Sequence, residues 1–393
     1  MQTTRGDSPN YLIIAGEASG DLHGSKLVIE LKARLPKARF TGMGGTRMQK
    51  AGVDTLFGIE RMGAVGIVEV LGDFDHYYKV YRTLMREIAS RRYDAVILID
   101  YPTLNLRLAK QGKRFNCSVF YFISPQVWAW RKGRIRDIRD SVNKMFVILP
   151  FEEKMYLDAG VDAEFLGHPF VDLVHPSRTR EESREKYSLN SAIKTIGLLP
   201  GSRMNEVNSL LDVMIQAAQK IRSELGSCQF LLPVADSIDP NMLRQRLGTN
   251  PLGIQLIEGE PYDVMNSCDM LIIASGSATL EAGILRCPMV IIYKLNPLTY
   301  ILAKLLVNAP LVGLVNIVAE EEVVPELIQG KVTAENICKE VLTVLQDPEK
   351  EKAVRERLFK IKSTLGNPEV MKAVAKRIAD VMDKLGANEK TPI

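Results

Sequence analysis

The sequence lacks the features of an exported, disulfide-bonded or membrane-spanning protein. Its five cysteines are scattered and form no C-x-x-C pair, which excludes a disulfide framework or zinc ribbon and favours a reducing compartment. The polar N-terminus and the short apolar run at residues 11–15 do not resemble a signal peptide. Polar residues and a proline interrupt the longest apolar stretch, 300–319, which we interpret as buried or interfacial. We therefore expect a cytoplasmic protein.

A strong charge of either sign is also absent. The formal net charge is only +4, so a nucleic-acid partner is not expected. The four histidines have no cysteine or carboxylate at ligand spacing, and Asp73 and Asp75 lie inside an amphipathic pattern rather than at a strand end, so we expect no metal site. Average contents of hydrophobic (46%) and charged (25%) residues indicate a globular protein, and 393 residues are too many for one ordinary core.

Short apolar runs alternate with helical patterns and predict an α/β protein with parallel sheets. The runs are residues 11–15, 39–42, 95–99, 119–123 and 145–149, then 195–199, 229–233, 254–257, 270–274 and 289–293. The polar, charge-dense segment 175–191 separates the two series. We therefore predict an N-terminal domain over 1–174 and a second domain over 175–365. After the break at Asn367-Pro368 we expect a helix, within 366–393, that returns to the first domain.

The first run leads into a glycine-containing turn, residues 16–21, with the sequence GEASGD. Parallel α/β sheets bind ligands at the carboxyl ends of their strands, where helices begin with free N–H groups. Glu17 and Ser19 would project there as polar contacts for a sugar. An equally good interpretation of this motif alone is a turn followed by a helix N-cap.

The strongest signal for a nucleotide is a strand that runs directly into small residues opening a helix, ASGSATLE at 274–281. Small side chains allow a diphosphate to approach the backbone N–H groups, and Glu281 would accept hydrogen bonds from the ribose hydroxyls. A second strand-end loop, LPGSR at 199–203, adds the Arg203 guanidinium. The alternatives are a simply capped helix and a surface arginine. The predicted donor-binding residues in these loops are Gly201, Ser202, Arg203, Glu206, Ser275, Gly276, Ser277, Ala278, Thr279 and Glu281.

Asp100 follows the very hydrophobic run 95–99 and precedes a Tyr-Pro pair, which places its carboxylate at the rim of the first sheet. Transfer of a sugar to a hydroxyl needs a base within hydrogen-bond reach of that hydroxyl. Asp100 is our candidate for that base, with Glu17 and His23 as the alternatives. Aspartate is also a common residue of strand-end turns.

A broad apolar stripe precedes that strand, with residues repeating at alternating spacings of four and three. Its members are Ile67, Leu71, Phe74, Tyr78, Tyr81 and Met85, widened by Val70, Tyr77 and Leu84, and the candidates for membrane contact are Ile67, Val68, Val70, Leu71, Phe74 and Tyr78. Such a stripe is either core or a surface that inserts partly into a bilayer, and the pattern does not distinguish the two. A basic run at 131–136 follows Trp128 and Trp130, which suits an anionic lipid headgroup; a solvated helix face is the alternative.

Five motifs together resemble the lipid-A-disaccharide synthase family: GEASGD at 16–21, GIVEVLG at 66–72, SPQVWAWR at 124–131, LPGSR at 199–203 and SGSATLE at 275–281. They occur in the family's order and cover nearly the whole chain. The resemblance implies the GT-B architecture, in which two Rossmann-like domains face a central cleft and C-terminal helices pack back across the domains.

The resemblance also implies an inverting glycosyltransferase that needs no cofactor or metal. It would join UDP-2,3-diacylglucosamine to 2,3-diacylglucosamine 1-phosphate at the cytoplasmic face of the inner membrane, forming a β-1,6 linkage and releasing UDP. Asp100, Glu17 and Arg203 would be catalytic, and Asn316 would lie near the donor diphosphate or sugar. The implied acceptor-binding residues are Glu17, Ser19, Trp128 and Arg131. A homodimer is left open.

Three rival functions remain at this stage. Other UDP-N-acetylglucosamine enzymes, such as the peptidoglycan transferase or the 2-epimerase, share the two-domain plan, but the motifs at 66–72 and 124–131 argue against them. A non-catalytic nucleotide-binding module at the membrane surface would not need a base. NAD-dependent oxidoreduction is disfavoured because the glycines at 42–45 do not form the dinucleotide-binding fingerprint.

Overall fold

The computed structural model of the chain describes residues 8–59, 62, 74–128, 133–296, 300 and 311–388. The chain divides into two compact units, the first formed by residues 1–169 with 365–393 and the second by residues 170–364. Each unit contains one parallel sheet covered by helices. The α/β fold class with two parallel sheets is thus confirmed.

Within the described residues of the first unit, seven strands pair in the order β3-β2-β1-β4-β5-β6-β7. The strands are β1 (Asn10–Ala15), β2 (Arg39–Met43), β3 (Asp54–Phe57), β4 (Ala95–Ile99), β5 (Ser118–Phe122), β6 (Lys144–Val147) and β7 (Ala163–Phe165). The helices are α1 (Ala18–Arg34), α2 (Thr46–Lys50), α3 (Phe74–Ala89), α4 (Pro102–Arg114), α5 (Arg134–Ser141) and α6 (Pro150–Asp158).

In the second unit, the described residues form six parallel strands in the order β10-β9-β8-β11-β12-β13. The strands are β8 (Lys194–Leu199), β9 (Cys228–Val234), β10 (Gln255–Glu258), β11 (Met270–Ala274), β12 (Met289–Tyr293) and β13 (Glu326–Ile328). The helices are α7 (Phe170–Leu173), α8 (Arg180–Lys186), α9 (Met204–Leu225), α10 (Pro240–Leu247), α11 (Pro261–Ser267), α12 (Ser277–Ile284), α13 (Leu314–Ala319), α14 (Ala334–Leu345) and α15 (Pro348–Thr364).

The last described helix, α16 (Val370–Asn388), belongs to the first unit. Its apolar residues Val370, Val374 and Ile378 share a core with Leu27 and Leu31 of α1. A single left-handed residue, Glu369, immediately precedes this helix. This shared core therefore joins the C-terminal segment of the first unit to its N-terminal segment.

The strands with the most apolar sequences lie at the centre of each sheet. All five residues of β4 and of β11 are buried, as expected of strands covered by helices on both faces. Strands β2 and β3 follow on one side of β1, and the chain then crosses to β4 on the other side of β1. In the second sheet, β9 and β10 lie on one side of β8 and β11 lies on the other. Such switch points form a crevice at the carboxyl ends of the two strands, which is where ligands bind in α/β sheets.

Candidate functional site

Two carboxylates lie at the switch point of the first unit. Glu17 is the exposed N-cap residue of α1, while Asp100 follows β4 and is partly buried. Burial, and then the neighbouring Glu17 carboxylate, raise the pKa of Asp100 to about 6. A carboxylate whose pKa lies close to the working pH combines ionisation with basicity, which is what a general base requires.

The backbone that carries Asp100 is in an uncommon conformation. Asp100 and Tyr101 both have positive φ angles, 47° and 45°, in the left-handed region that costs about 1 to 3 kcal/mol per non-glycine residue. The Asp100 carbonyl accepts hydrogen bonds from the Tyr121 hydroxyl at 2.7 Å and the Asn105 amide at 2.8 Å. These contacts hold the turn, so the carboxylate has a fixed position at the rim.

Gly16 is required in this turn because the Tyr101 ring covers it. A Cβ atom at Gly16 would lie 2.3 Å from that ring. The Tyr101 hydroxyl in turn donates to the Met62 carbonyl at 3.2 Å. The glycine of the first motif therefore permits close packing of the loops that follow β1 and β4.

Other polar residues of the first motif have different environments. Asp21 is buried and accepts N–H groups from Gly45 (2.7 Å), Arg47 (3.1 Å) and Met48 (3.0 Å), so it caps α2. Ser19 is exposed at the same rim as Glu17. His23 is buried beside the Phe122 ring, and this burial lowers its pKa to about 4. It is therefore a weaker base than Asp100.

Trp128 is fixed by helix α6. Its indole N–H donates to Glu152 at 3.0 Å, and its ring meets Phe151 edge-on at 5.4 Å. Glu152 is 1% exposed, and burial raises its pKa to about 7. The Pro125 carbonyl of the same segment accepts the Tyr156 hydroxyl at 3.0 Å. The segment before Trp128 is thus attached to α6 at two points.

Several predicted contact residues lie outside the described part of the chain. They are the acceptor-binding candidate Arg131 and the membrane-facing candidates Ile67, Val68, Val70 and Leu71, and the side chain of Phe74 is also not described. Tyr78 is 48% exposed and stacks with Arg82. Other members of the stripe belong to the core: Leu84 is buried with Val80 and Ile88, and Tyr77, Tyr81 and Met85 pack against that cluster.

In the second unit, the loop after β8 is shaped by Glu206. Gly201 has a φ of 110°, and a Cβ atom there would lie 2.2 Å from the Glu206 carboxylate. That carboxylate accepts the N–H groups of Ser202 at 3.1 Å and Arg203 at 3.3 Å. The Arg203 side chain is 81% exposed and lies 3.6 Å from Glu206. Glu206 therefore holds this loop, while Ser202 and Arg203 face solvent.

The loop after β11 exposes its backbone and buries some of its side chains. Gly276 and Ser277 are exposed, and Ser275 and Ala278 are partly exposed. The buried Thr279 hydroxyl donates to the Gly276 carbonyl at 2.8 Å, so it closes the first turn of α12.

Glu281, one turn into α12, is partly buried. Burial raises its pKa, and its carboxylate accepts the Ser277 hydroxyl at 3.1 Å. The Tyr262 side chain also hydrogen-bonds to this carboxylate. A carboxylate has about four lone-pair sites, so it can accept further donors. The Glu281 carboxylate can therefore accept hydrogen bonds from the two hydroxyls of a ribose.

Asn316 is completely buried on α13 and supports the neighbouring segment. Its amide nitrogen donates to Val324 and Glu326, each at 2.8 Å, and its oxygen accepts the N–H groups of Val323 (2.9 Å) and Val324 (3.1 Å). This accounts for both donors and both lone pairs of the amide. Glu326 also accepts the Val312 N–H at 2.9 Å, and the Val312 carbonyl accepts the Ser275 hydroxyl at 2.7 Å, which links this segment to the loop after β11.

A cavity of about 1110 Å³ lies at the carboxyl ends of β8, β11 and β12. The cavity is lined by Arg203, Glu206 and Ser275, and also by Tyr293 and Lys294. Tyr293 is the last residue of β12, and Lys294 follows it. Tyr262, near the start of α11, also approaches the Glu281 carboxylate. Sequence reasoning found the first three residues through their glycine- and serine-containing loops, whereas no glycine marks the end of β12.

Within the described residues, no helix is both long and apolar enough to cross a bilayer. The same ranges contain no group of three or more His, Cys, Asp or Glu side chains suited to a metal ion.

Two parallel α/β units with polar switch points define the glycosyltransferase and sugar-nucleotide epimerase fold, and solved structures share it. UDP-GlcNAc 2-epimerase from Neisseria meningitidis, solved with UDP-GlcNAc, has a TM-score of 0.64 at 11% identity, covering 95% of this chain and 100% of that one. CalG4, the calicheamicin glycosyltransferase, has a TM-score of 0.59 at 14% identity, covering 98% and 100%.

Sequence comparison identifies the family. Residues 11–378 match the lipid-A-disaccharide synthetase family. The lipid-A-disaccharide synthase of Syntrophus aciditrophicus is 43% identical over 92% of this chain and 94% of its own. That of Nitrosococcus oceani is 42% identical over 91% and 93%. The chain belongs to the lipid-A-disaccharide synthase family and is a glycosyltransferase of lipid A disaccharide synthesis.

Proposed function

We propose that the enzyme condenses UDP-2,3-diacylglucosamine with 2,3-diacylglucosamine 1-phosphate in a single inverting displacement. The acceptor 6-hydroxyl loses its proton to Asp100 as its oxygen bonds to the anomeric carbon of the donor. The bond from that carbon to the diphosphate breaks, and UDP leaves with the electron pair. The products are the β-1,6-linked disaccharide 1-phosphate and UDP.

The observation that carries this proposal is the environment of Asp100. Its carboxylate lies at the switch point, burial and Glu17 raise its pKa to about 6, and the turn is held by Asn105 and Tyr121. A base with these properties is ionised at neutral pH and remains a competent proton acceptor. A nucleotide-binding module without catalysis would not require it.

In the second unit, the N–H groups of residues 276–278, in the loop after β11 that we call the phosphate loop, and the Arg203 guanidinium would stabilise the departing diphosphate. The Ser275 N–H is already bonded to the Ile292 carbonyl. Glu281 would accept hydrogen bonds from the ribose hydroxyls. Glu206, Thr279 and Asn316 would contribute through the shape of the donor-binding loops, because their polar atoms are bonded within the chain. We assign no metal or cofactor to the reaction.

In the first unit, Glu17, Ser19, Trp128 and Arg131 would bind the acceptor. We also propose that the segment around Ile67–Tyr78 and the basic run 131–136 bring the enzyme to the cytoplasmic face of the inner membrane, where its acylated substrates reside. Whether the active assembly is a homodimer is a question for sedimentation measurements.

An assay with purified enzyme and both lipid substrates tests the proposal. We expect release of UDP together with a β-linked disaccharide, identified by the anomeric coupling in proton NMR. UDP-N-acetylglucosamine without an acceptor is the control, and its epimerisation would favour the 2-epimerase reaction. Binding of UDP without turnover of the lipid pair would favour the non-catalytic module.

A further inference from the structure

We propose that Lys294 is a second cation for the diphosphate of the bound nucleotide, opposite Arg203 across the phosphate loop. This inference rests on the proposed donor site. Its basis is the strand order, the charges that line the cavity, and the contacts that fix the backbone beside Lys294.

The strand order places a cation on each side of the phosphate loop. Strand β11 lies between β8 and β12 in the sheet. Ser275 follows β11, Lys294 follows β12 directly, and Arg203 lies in the loop after β8. All three residues line the cavity of about 1110 Å³. An anion held by the N–H groups after β11 would therefore have one cation on either side.

The charges of the cavity lining make Lys294 the cation left to balance an anion. Each lining carboxylate has its own partner: Glu206 lies 3.6 Å from Arg203, Asp212 lies 2.6 Å from Arg246, and Glu335 lies 3.0 Å from Lys220. Within the part of the chain that the structure describes, Lys294 forms no ion pair. Two cations and three carboxylates line the cavity, and once the partner cations Lys220 and Arg246 are counted the described group has a net charge of +1. In that group of described residues, Lys294 is the cation without a carboxylate partner.

The backbone beside Lys294 is held in place. The Gln329 side chain accepts the Leu295 N–H at 3.1 Å and donates to the Leu295 carbonyl at 3.2 Å. On its other side, Tyr293 pairs with Ile328 in the sheet. The side chain of Lys294 is exposed, but its backbone therefore has a fixed starting point beside the cavity, which limits the freedom lost when a ligand binds.

The nucleotide diphosphate, rather than the phosphate of the acceptor, is the anion that we assign to Lys294. All residues that line the cavity belong to the second unit, and Ser275, where the loop after β11 begins, is one of them. Binding of UDP in the absence of any acceptor separates the two sources. An acceptor phosphate would leave UDP affinity independent of this residue.

Calorimetry with UDP and uridine tests the assignment. We expect Lys294→Met to weaken UDP binding roughly ten- to a hundredfold, the range for hydrogen bonds to charged groups, and to leave uridine affinity unchanged. Lys294→Arg should retain most of the UDP affinity. The matched control is Lys339→Met, an exposed lysine of α14 outside the cavity lining, which should bind UDP like the wild type.

Two results would overturn the role of Lys294 while leaving the proposed donor site intact: wild-type UDP affinity in Lys294→Met, or an equal loss of UDP and uridine affinity. If Lys294→Met melts at a lower temperature than wild type, Lys294→Gln takes its place in the same comparison. Failure of the wild-type protein to bind UDP would contradict both the proposed function and this inference.

Discussion

At the scale of single residues, Asp100 combines a functional position with an unfavourable environment. Burial opposes its ionisation, the Glu17 carboxylate adds repulsion, and the left-handed backbone costs further free energy. Asn105 and Tyr121 offset part of that cost through the Asp100 carbonyl. Local conformations of this kind persist where the surrounding structure enforces them, and they cluster at active sites.

Replacement of Asp100 by asparagine should leave folding and UDP binding unchanged and reduce turnover roughly a hundredfold or more. The amide is nearly isosteric with the carboxylate but cannot take up a proton, and general bases contribute about this factor. Steady-state rates with both lipid substrates give the comparison. Turnover close to wild type would instead direct attention to Glu17, because His23, with a pKa of about 4, is mostly neutral and buried.

The dependence of kcat/KM on pH gives an independent test. The base is active when ionised, so the rate should fall as the pH drops through about 6, the pKa of Asp100. Glu17→Gln removes a negative charge that raises this pKa, and the acid limb should then move to lower pH. An acid limb that stays in place in Glu17→Gln would show that another group titrates. Binding of UDP at each pH is the control for a titration in the donor site.

Arg203→Ala and Glu281→Ala should each weaken UDP binding by about 1 to 3 kcal/mol, the range expected for a charge-assisted hydrogen bond. The Arg203 side chain is 81% exposed, so its removal should not alter the melting temperature. Calorimetry with UDP is the measurement, and Arg244→Ala, an exposed arginine paired with Glu258, is the control. Unchanged affinity in both variants would place the nucleotide elsewhere.

At the scale of elements, all ten apolar runs predicted from the sequence are strands in the structure. Central strands such as β4 and β11 are buried on both faces, which produces continuous apolar sequence, whereas the edge strand β10 was predicted although it is partly exposed. The three strands that the sequence did not indicate, β3, β7 and β13, contain three or four residues and lie at sheet edges. Partial exposure on an edge removes the apolar signal, so a short edge strand resembles a loop in sequence.

The residues of the candidate site also divide into those that the sequence indicated and those that it did not. The rule that ligands bind at strand ends located Glu17, Asp100, Arg203 and the loop after β11, because glycines or a hydrophobic run mark each of them. The supporting contacts escaped prediction because they join distant parts of the chain. Glu152 binds Trp128 from 24 residues away, and Glu326 holds Val312 and Gly313 from 14 and 13 residues away.

Asn316→Ala tests how the α13 segment is held. It leaves the buried N–H groups of Val323 and Val324 without their acceptor, and each such group costs about 1 to 3 kcal/mol. We therefore expect the free energy of unfolding to fall by at least about 2 kcal/mol in urea titrations. Asn241→Ala, exposed at the start of α10, should change it little. A loss of UDP affinity at unchanged stability would instead indicate direct contact between Asn316 and the donor.

At the scale of the whole molecule, the proposed substrates carry acyl chains that reside in a membrane, whereas the chemistry takes place in water. Contact with the lipid through a surface of the first unit is part of the proposed function. The apolar stripe that begins at Ile67 is the candidate surface. Of the described members of the stripe, Tyr78 has an exposed ring, whereas Leu84 is buried with Val80 and Ile88 on the core face of α3.

Changing Ile67, Val68, Leu71 and Phe74 to serine separates a membrane surface from a core. If these residues are core, the protein should unfold, because each buried side chain contributes about 1.5 to 3 kcal/mol. We expect the quadruple variant to keep its melting temperature and UDP affinity, to need less detergent for extraction, and to bind vesicles poorly. Val80→Ser with Leu84→Ser is the matched control, because both residues are fully buried and their replacement should lower the melting temperature.

The basic run 131–136 should supply the part of vesicle binding that depends on salt. Exposed charges near anionic headgroups are screened beyond about 10 Å at 0.1 M salt, whereas burial of apolar side chains in lipid is not weakened by salt. Vesicle sedimentation at low and high salt, with anionic or neutral lipids, distinguishes the two contributions. Wild-type protein should lose part of its vesicle binding in high salt. The quadruple variant, which binds vesicles through the basic run alone, should lose nearly all of its binding in high salt. Cooperative unfolding of that variant at a much lower temperature would return the stripe to the core and leave the basic run to act alone.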